Sequence, residues 1–175
     1  MELLATRRIH EGKVVNLRID TLRDAHTGKP RDVEVVEHAQ AVVVIVQPRP
    51  GEMLLVRQYR HPLARDHWEV VAGGMEPGES PEEAAIRELR EETGYRATSA
   101  RRLWSAFSAP GFCDELLHFC LVEDYEIGEP DPDEGEHDIV LGTFAVDDLW
   151  RRIRHDDLRD AKTQVAVLWA LAEQK

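Results

Sequence analysis

Apolar and polar positions change period several times along the chain. Val14 to Leu22 (VVNLRIDTL) alternates, and Asp32 to Glu37 (DVEVVE) alternates again beyond a turn at Thr27-Gly28, so the two predict a hairpin. Ala41 to Val46 (AVVVIV) is an unbroken run of the kind buried on both faces. Met53 to Tyr59 predicts the next strand, which His61-Pro62 ends, and Trp68 to Ala72 a short one running into Gly73-Gly74. Arg102 to Phe107 and Leu116 to Glu123 predict strands around the loop Ser108 to Asp114. Ile139 to Val146 predicts another, after an acidic loop from Glu123 to Asp138. Helical patterns cover Ser80 to Thr93, Asp147 to Arg154 and Asp160 to Glu173, the last with Val165, Leu168, Trp169 and Leu171 as its apolar side. Many strands and few helices, in no regular alternation, predict an α/β fold with a mixed sheet packed between helices.

Charge narrows the partners. The 175 residues hold 34 acids against 22 bases, a net charge of -12. Binding a long polyphosphate needs clustered cations, so nucleic acid is not an expected partner. The acidity is not spread evenly. Glu76 to Glu92 holds seven acids and Glu123 to Asp138 nine, so two segments carry sixteen of the 34 with only Arg87 and Arg90 as bases. Such concentrated carboxylates suit a divalent cation, which inverts the local sign and admits a small phosphate ester. No apolar run is long enough to cross a membrane, and the start has no secretory pattern. Cys113 and Cys120 form no metal-binding pair, so reduced thiols in a cytoplasmic protein with no membrane partner are expected.

The helix from Ser80 carries the chemistry. Ser80 predicts an N-cap, Pro81 the first helical position, Glu83 the partner of a capping box and Gly94 the C-terminal stop. Glu88, Glu91 and Glu92, at i, i+3 and i+4, fall on one face; Ala85, Ile86 and Leu89 fall on the adjacent one. Like charges at this spacing destabilise a helix, and oxygen ligands so placed suit Mg²⁺ or Mn²⁺. A solvated acidic face paired with Arg87 and Arg90 is the alternative. The wider spacing decides between them. Gly73, five residues, Glu79, seven residues, Arg87-Glu88-Leu89, one residue, Glu91-Glu92, one residue, Gly94-Tyr95 resembles the Nudix box of hydrolases that cleave nucleoside diphosphates linked to another moiety. The one departure is Tyr95, at a position usually aliphatic, which touches packing rather than chemistry.

That resemblance implies an α/β/α Nudix fold and a set of roles. Glu88 and Glu92 would be the main metal ligands, with Glu91 bridging or assisting and the carbonyl of Ala72 joining them. Arg87 and Glu79 would pair and hold the carboxylates in place. Flanking residues resemble ADP-ribose pyrophosphatases: Val56-Arg57-Gln58-Tyr59-Arg60, Trp68-Glu69-Val70-Val71-Ala72-Gly73 and Ser108-Ala109-Pro110-Gly111-Phe112. Val71 departs from a frequent proline. By this resemblance Arg60, and less directly Arg57, would hold substrate phosphate. Glu76 and Glu34 would contact ribose or adenine, Pro110-Gly111 would belong to the specificity loop, and Glu115 would touch a metal or its water. The general base would come from Asp133-Glu134-Gly135-Glu136, with Glu136 favoured over Glu134. Residues 1–40 would form a β region exchanged between two subunits of a homodimer, and 41–175 the catalytic domain. The expected activity is Mg²⁺-dependent hydrolysis of ADP-ribose to AMP and ribose 5-phosphate. The rivals are another nucleoside diphosphate sugar as substrate, or a domain that only senses such a ligand.

Overall fold

The computed structural model of the chain describes residues 1–128 and 139–174. It divides into two compact units, Met1–Ala41 with Ser105–Leu117, and Val42–Trp104 with His118–Lys175.

In the first unit β1 (Glu2–Glu11), β2 (Val15–Arg23) and β3 (Pro30–His38) form an antiparallel sheet in that order. The hairpin predicted for β2 and β3 is present, with Gly28 at φ +68° in its turn and Asp24 Oδ1 accepting from the Thr27 N–H at 2.7 Å. The segment Ser105–Leu117 follows β3: the Val36 N–H donates to the Phe112 carbonyl at 2.7 Å, and the Asp114 N–H to the Val36 carbonyl at 3.2 Å. β1 was not predicted, for a physical reason. All ten of its residues are exposed, so no burial pattern marks it. Its place is fixed instead by the ladder to β2 and by cross-strand pairs, Arg23 with Glu2 at 3.0 Å and Thr6 with Asp20 at 2.8 Å.

The chain then continues through β4 (Ala41–Val46), β5 (Glu52–Arg60), β6 (Arg65–Glu69), β7 (Val71–Gly74), α1 (Pro81–Thr93), β8 (Arg96–Ala97), β9 (Arg101–Phe107), β10 (Leu116–Val122), β11 (Tyr125–Glu126), β12 (Val140–Ala145), α2 (Val146–Arg154) and α3 (Ala161–Glu173). Sheets run β7-β4-β10-β9 and β12-β5-β6, with β11-β8 as a small ribbon; the outer ends of β9 and β10 pass into the first unit. The strand expected over Trp68 to Ala72 is two strands, divided at Val70. There the backbone N–H donates to Thr163 Oγ1 at 2.9 Å, which pins the start of α3.

β4 is buried along its whole length, as its sequence requires. Val42, Val44 and Val46 share one apolar cluster with Leu54 and Val56 of β5, Val71 of β7, Cys120 and Val122 of β10, and Ala84, Ala85 and Leu89 of α1. α1 therefore packs where strands of both sheets converge. Ile86, expected on this face, is only half-buried, and Ala84 takes its place. α3 also differs from expectation. Its buried residues are Thr163, Ala166, Val167 and Ala170, while Val165 and Leu168 are exposed. The Thr163 bond to Val70 sets that face, and small side chains allow a close approach. Trp169 meets Trp104 at 6.0 Å, and Trp104 stacks on Phe119 at 4.9 Å. Among the described residues no helix is long and apolar enough to cross a membrane.

On the β12-β5-β6 sheet Arg57 lies over Trp68 at 5.6 Å, Trp68 meets Phe144 edge-on at 4.9 Å, and Arg152 lies over Phe144 at 5.4 Å. Gly142 leaves room for this ladder: a Cβ there would stand 2.7 Å from both Phe144 and Trp68. Gly142→Ala should therefore cost about 1–3 kcal/mol of stability, the range for overpacking. Urea unfolding with an unchanged midpoint would contradict this.

Candidate active site

α1 begins where the sequence places it. Ser80 Oγ accepts from the Glu83 N–H at 3.3 Å, and Glu83 Oε2 accepts from the Ser80 N–H at 2.9 Å, closing the capping box. Gly94, at φ +77°, ends the helix and donates its N–H to the Arg90 carbonyl at 2.8 Å. Tyr95, the one departure from the box, stacks on Tyr125 at 4.7 Å.

Glu88 and Glu92 are buried on the same side of α1 as Ala84, Ala85 and Leu89, while Glu91 is half-buried. The carboxylates thus share the core-facing side rather than flank it. Burying carboxylates is costly unless charge and hydrogen bonds compensate. Arg87 supplies much of that compensation. Its Nε and Nη2 grip Glu79 at 3.0 and 2.9 Å, its Nη1 donates to Glu88 at 2.8 Å and Glu91 at 2.9 Å, and its Nη2 also donates to the Gly74 carbonyl at 2.8 Å. These five bonds use all five guanidinium N–H groups. The pairing holds the Glu79 carboxyl below the usual carboxylate range and raises Arg87 further still. Glu79 is itself positioned by the turn before α1, where its N–H donates to the Glu76 carbonyl at 3.1 Å and its Oε2 accepts from the Glu76 N–H at 2.9 Å.

Gly73 completes the arrangement. A Cβ added there would lie 2.0–2.2 Å from the carboxylate atoms of Glu88, so the acid occupies the space any side chain would take. Glu88 lies directly against the backbone that follows Ala72. Among the described residues no three acids, histidines or cysteines stand together in an arrangement that would hold a metal ion as they are placed; Arg87 stands among the carboxylates instead. Three carboxylates on one guanidinium, with Glu92 one turn from Glu88, leave an excess of negative charge made of hard oxygen donors. That donor set fits Mg²⁺ or Mn²⁺.

A second arginine stands close by. Arg60, at the end of β5, donates from Nε and Nη2 to Glu69 at 2.6 and 2.9 Å, and Glu69 is only 2% exposed. Glu69 and the nearby charges of Glu92 and Asp160 raise the Arg60 pKa against the opposing effect of burial. Glu69 is also 3.4 Å from Lys162 Nζ, which lies 2.7 Å from Asp160. Arg60, Glu69, Lys162 and Asp160 line a cavity of about 480 Å³ with Arg65 and His67. Sequence reasoning did not single out Lys162 or Asp160 for the site. They lie about ninety residues from Glu69, and the only local signal was a helix cap at Asp160.

The remaining candidates are distributed as follows. Arg57 lies over Trp68. Glu76 is exposed in the turn before α1. Glu34, on β3, together with Pro110, Gly111 and Glu115, belongs to the first unit. Glu34, Pro110 and Gly111 are exposed there, and Glu115 pairs with His38 at 3.3 Å. Glu134 and Glu136 lie outside the described residues.

Comparison with known proteins places this geometry in a class. A solved structure described as an ADP compounds hydrolase superposes with a TM-score of 0.84 over 98% of this chain and 92% of its own, at 19% identity, which establishes a shared fold. Residues 37–165 match the family model of the NUDIX domain. The chain belongs to the Nudix family. Curated relatives include an ADP-ribose pyrophosphatase of Bacillus subtilis and a methanol dehydrogenase activator of Bacillus methanolicus. Each is 34% identical over 165 residues, covering 94% of this chain and 89% of the relative.

Asp160 gives the site's surroundings a pH signature. Burial raises its pKa, but the Lys162 charge and hydrogen bonds from Lys162 and Thr163 prevail and hold it below its ordinary value of 3.8. A depressed folded pKa contributes stability above the unfolded value, and that stability is lost as pH falls through the folded one. The stability gap between wild type and Asp160→Asn should therefore be full near neutrality and close on acidification below 3.8. Denaturant titrations showing a gap unchanged down to about pH 2.5 would contradict the assignment.

Proposed function

We propose that the protein hydrolyses ADP-ribose to AMP and ribose 5-phosphate with Mg²⁺ or Mn²⁺. The observation that carries this is the buried carboxylate set of α1, gathered on Arg87 and set against the Gly73 backbone. The likeness to the pyrophosphatase named above supports the substrate.

Glu88, Glu92 and the Ala72 carbonyl would hold the cation, with Glu91 assisting. When bound, it would polarise the diphosphate and acidify the attacking water. Arg87 keeps Glu88 and Glu91 oriented, because a guanidinium saturated by five bonds has none left for substrate. Arg60 is built differently. Its Nη1 makes no hydrogen bond among the described residues, so its fork can take a phosphate oxygen while Glu69 steadies the other side. Arg57, three residues earlier on a strand of unbroken register, faces the opposite side of the sheet, over Trp68, so the phosphate role expected for it from sequence does not join that of Arg60. Glu76 and Glu34 are assigned to the ribose and adenine, Pro110-Gly111 to the specificity loop and Glu115 to the metal's water shell. The proton of the attacking water goes to Glu136, ahead of Glu134.

A homodimer is part of the same proposal, with residues 1–40 at its interface and 41–175 as the catalytic domain. β1 is an edge strand bearing exposed Leu3, Leu4 and Ile9, and such edges and apolar surfaces invite a second chain. A cytoplasmic location is consistent with the free thiols Cys113 and Cys120. Burial pushes the Cys120 thiol up to about 12, leaving it unreactive.

A product assay on ADP-ribose, ADP-glucose, GDP-mannose and diadenosine compounds, with and without Mg²⁺, tests the activity. AMP should be released most efficiently from ADP-ribose and only with the cation. Glu92→Gln should lose at least about 100-fold in kcat with its melting temperature kept. Equal efficiency across the panel, or wild-type turnover in the variant, would contradict the proposal.

A further inference from the structure

The network behind Arg60 is more elaborate than a salt bridge needs to be. Glu69 already satisfies Arg60 through a two-point grip, yet Lys162 Nζ stands at 3.4 Å from the same carboxylate. Lys162 reaches it from the first turn of α3. Asp160 fixes that turn: one oxygen accepts from Lys162 at 2.7 Å, and the other from the Thr163 N–H at 2.8 Å and hydroxyl at 2.6 Å. Thr163 Oγ1 in turn accepts from the Val70 N–H at 2.9 Å, one residue beyond Glu69. The start of α3 is thus bonded to the end of β6 at two adjacent points, and the one through Lys162 delivers a cation to a buried acid.

The electrostatic consequence concerns Arg60. A buried carboxylate facing one guanidinium neutralises it and holds it closely. A second cation on that carboxylate divides its charge, so the guanidinium keeps more of its own. Asp160 balances Lys162, so the four groups sum to no net charge and the extra cation adds no burden of its own. Arg60 is held by Nε and Nη2 while Nη1 keeps both N–H groups and much of its positive charge.

We propose that Lys162 is a positioning residue for Arg60: by sharing Glu69 it fixes the guanidinium on one side and leaves the other charged for a substrate phosphate. This rests on the reading of Arg60 as a phosphate-binding residue. It gives Lys162, Asp160 and Glu69 a part in substrate affinity without any of them touching the substrate.

A double-mutant cycle on the full-length protein with ADP-ribose and Mg²⁺ separates these possibilities. Lys162→Met should raise KM roughly 5- to 10-fold with kcat within about 2-fold, the size of a coupling between contacting residues. In the Arg60→Met background it should have no further effect on KM. Lys162→Arg should restore KM to within about 3-fold, because it returns a cation to Glu69. Lys162→Gln, which keeps length and polarity, should behave like Lys162→Met and serves where the apolar variant folds poorly. A role confined to stability would lower the melting temperature in both backgrounds and leave KM alone, which would overturn the proposal. Additive KM effects in the double variant would also overturn it, since Lys162 would then act on substrate independently of Arg60. A wild-type KM in Arg60→Met would instead refute the phosphate-binding role of Arg60.

Discussion

The site depends on one guanidinium. Arg87 is one helical turn from Glu91, adjacent to Glu88, and faces Glu79 across the turn that precedes α1. Its five N–H groups meet three carboxylates and the Gly74 carbonyl. Without a cation at that point α1 would carry like charges at i, i+3 and i+4, two of them buried, and these would oppose the packing of the helix through Ala84, Ala85 and Leu89. The interaction links three levels of structure. It makes an acidic face compatible with burial, ties the glycine loop to the helix, and fixes carboxylate oxygens against the Gly73 backbone.

The two arginines near these acids divide the work by saturation. Arg87 gives every donor to the protein and serves as a fixed scaffold. Arg60 gives part of its fork to Glu69, and its Nη1 makes no hydrogen bond among the described residues, which is what the proposed phosphate contact would use. Guanidinium geometry permits both uses, and the number of donors already committed tells them apart. The same count shows how a chain of charge -12 would receive the proposed diphosphate. The acidity is local and suited to a cation, and the cavity beside Arg60 is lined by Arg65, His67 and Lys162 as well as by Glu69 and Asp160.

What could be read from sequence was local in physical origin. The capping box of Ser80 and Glu83, the stop at Gly94, the spacing from Gly73 to Glu92 and the buried run of β4 all depend on neighbours within a few turns of chain. β1 escaped detection because every residue in it is exposed, and its ladder to β2 leaves no trace in hydrophobic period. The break between β6 and β7 was equally hidden, since the group that takes the Val70 N–H out of the ladder is Thr163, far along the chain. The buried face of α3 was misjudged for the same reason: contact with Val70 selects Thr163, Ala166 and Ala170 over the larger Val165 and Leu168. Lys162 gave no signal, because its meaning lies in an acid that only folding brings near.

The central claim, that the Arg87-centred carboxylates and the Gly73 backbone together form a divalent-cation site, is tested most directly by Mn²⁺ binding without substrate. Calorimetric or spin-resonance titration of wild type should give saturable binding, and Gly73→Ala, whose Cβ must displace the Glu88 carboxylate, should bind at least about 10-fold more weakly with its fold intact. Equal Mn²⁺ affinity in the two proteins, or no saturable binding in wild type, would contradict the account.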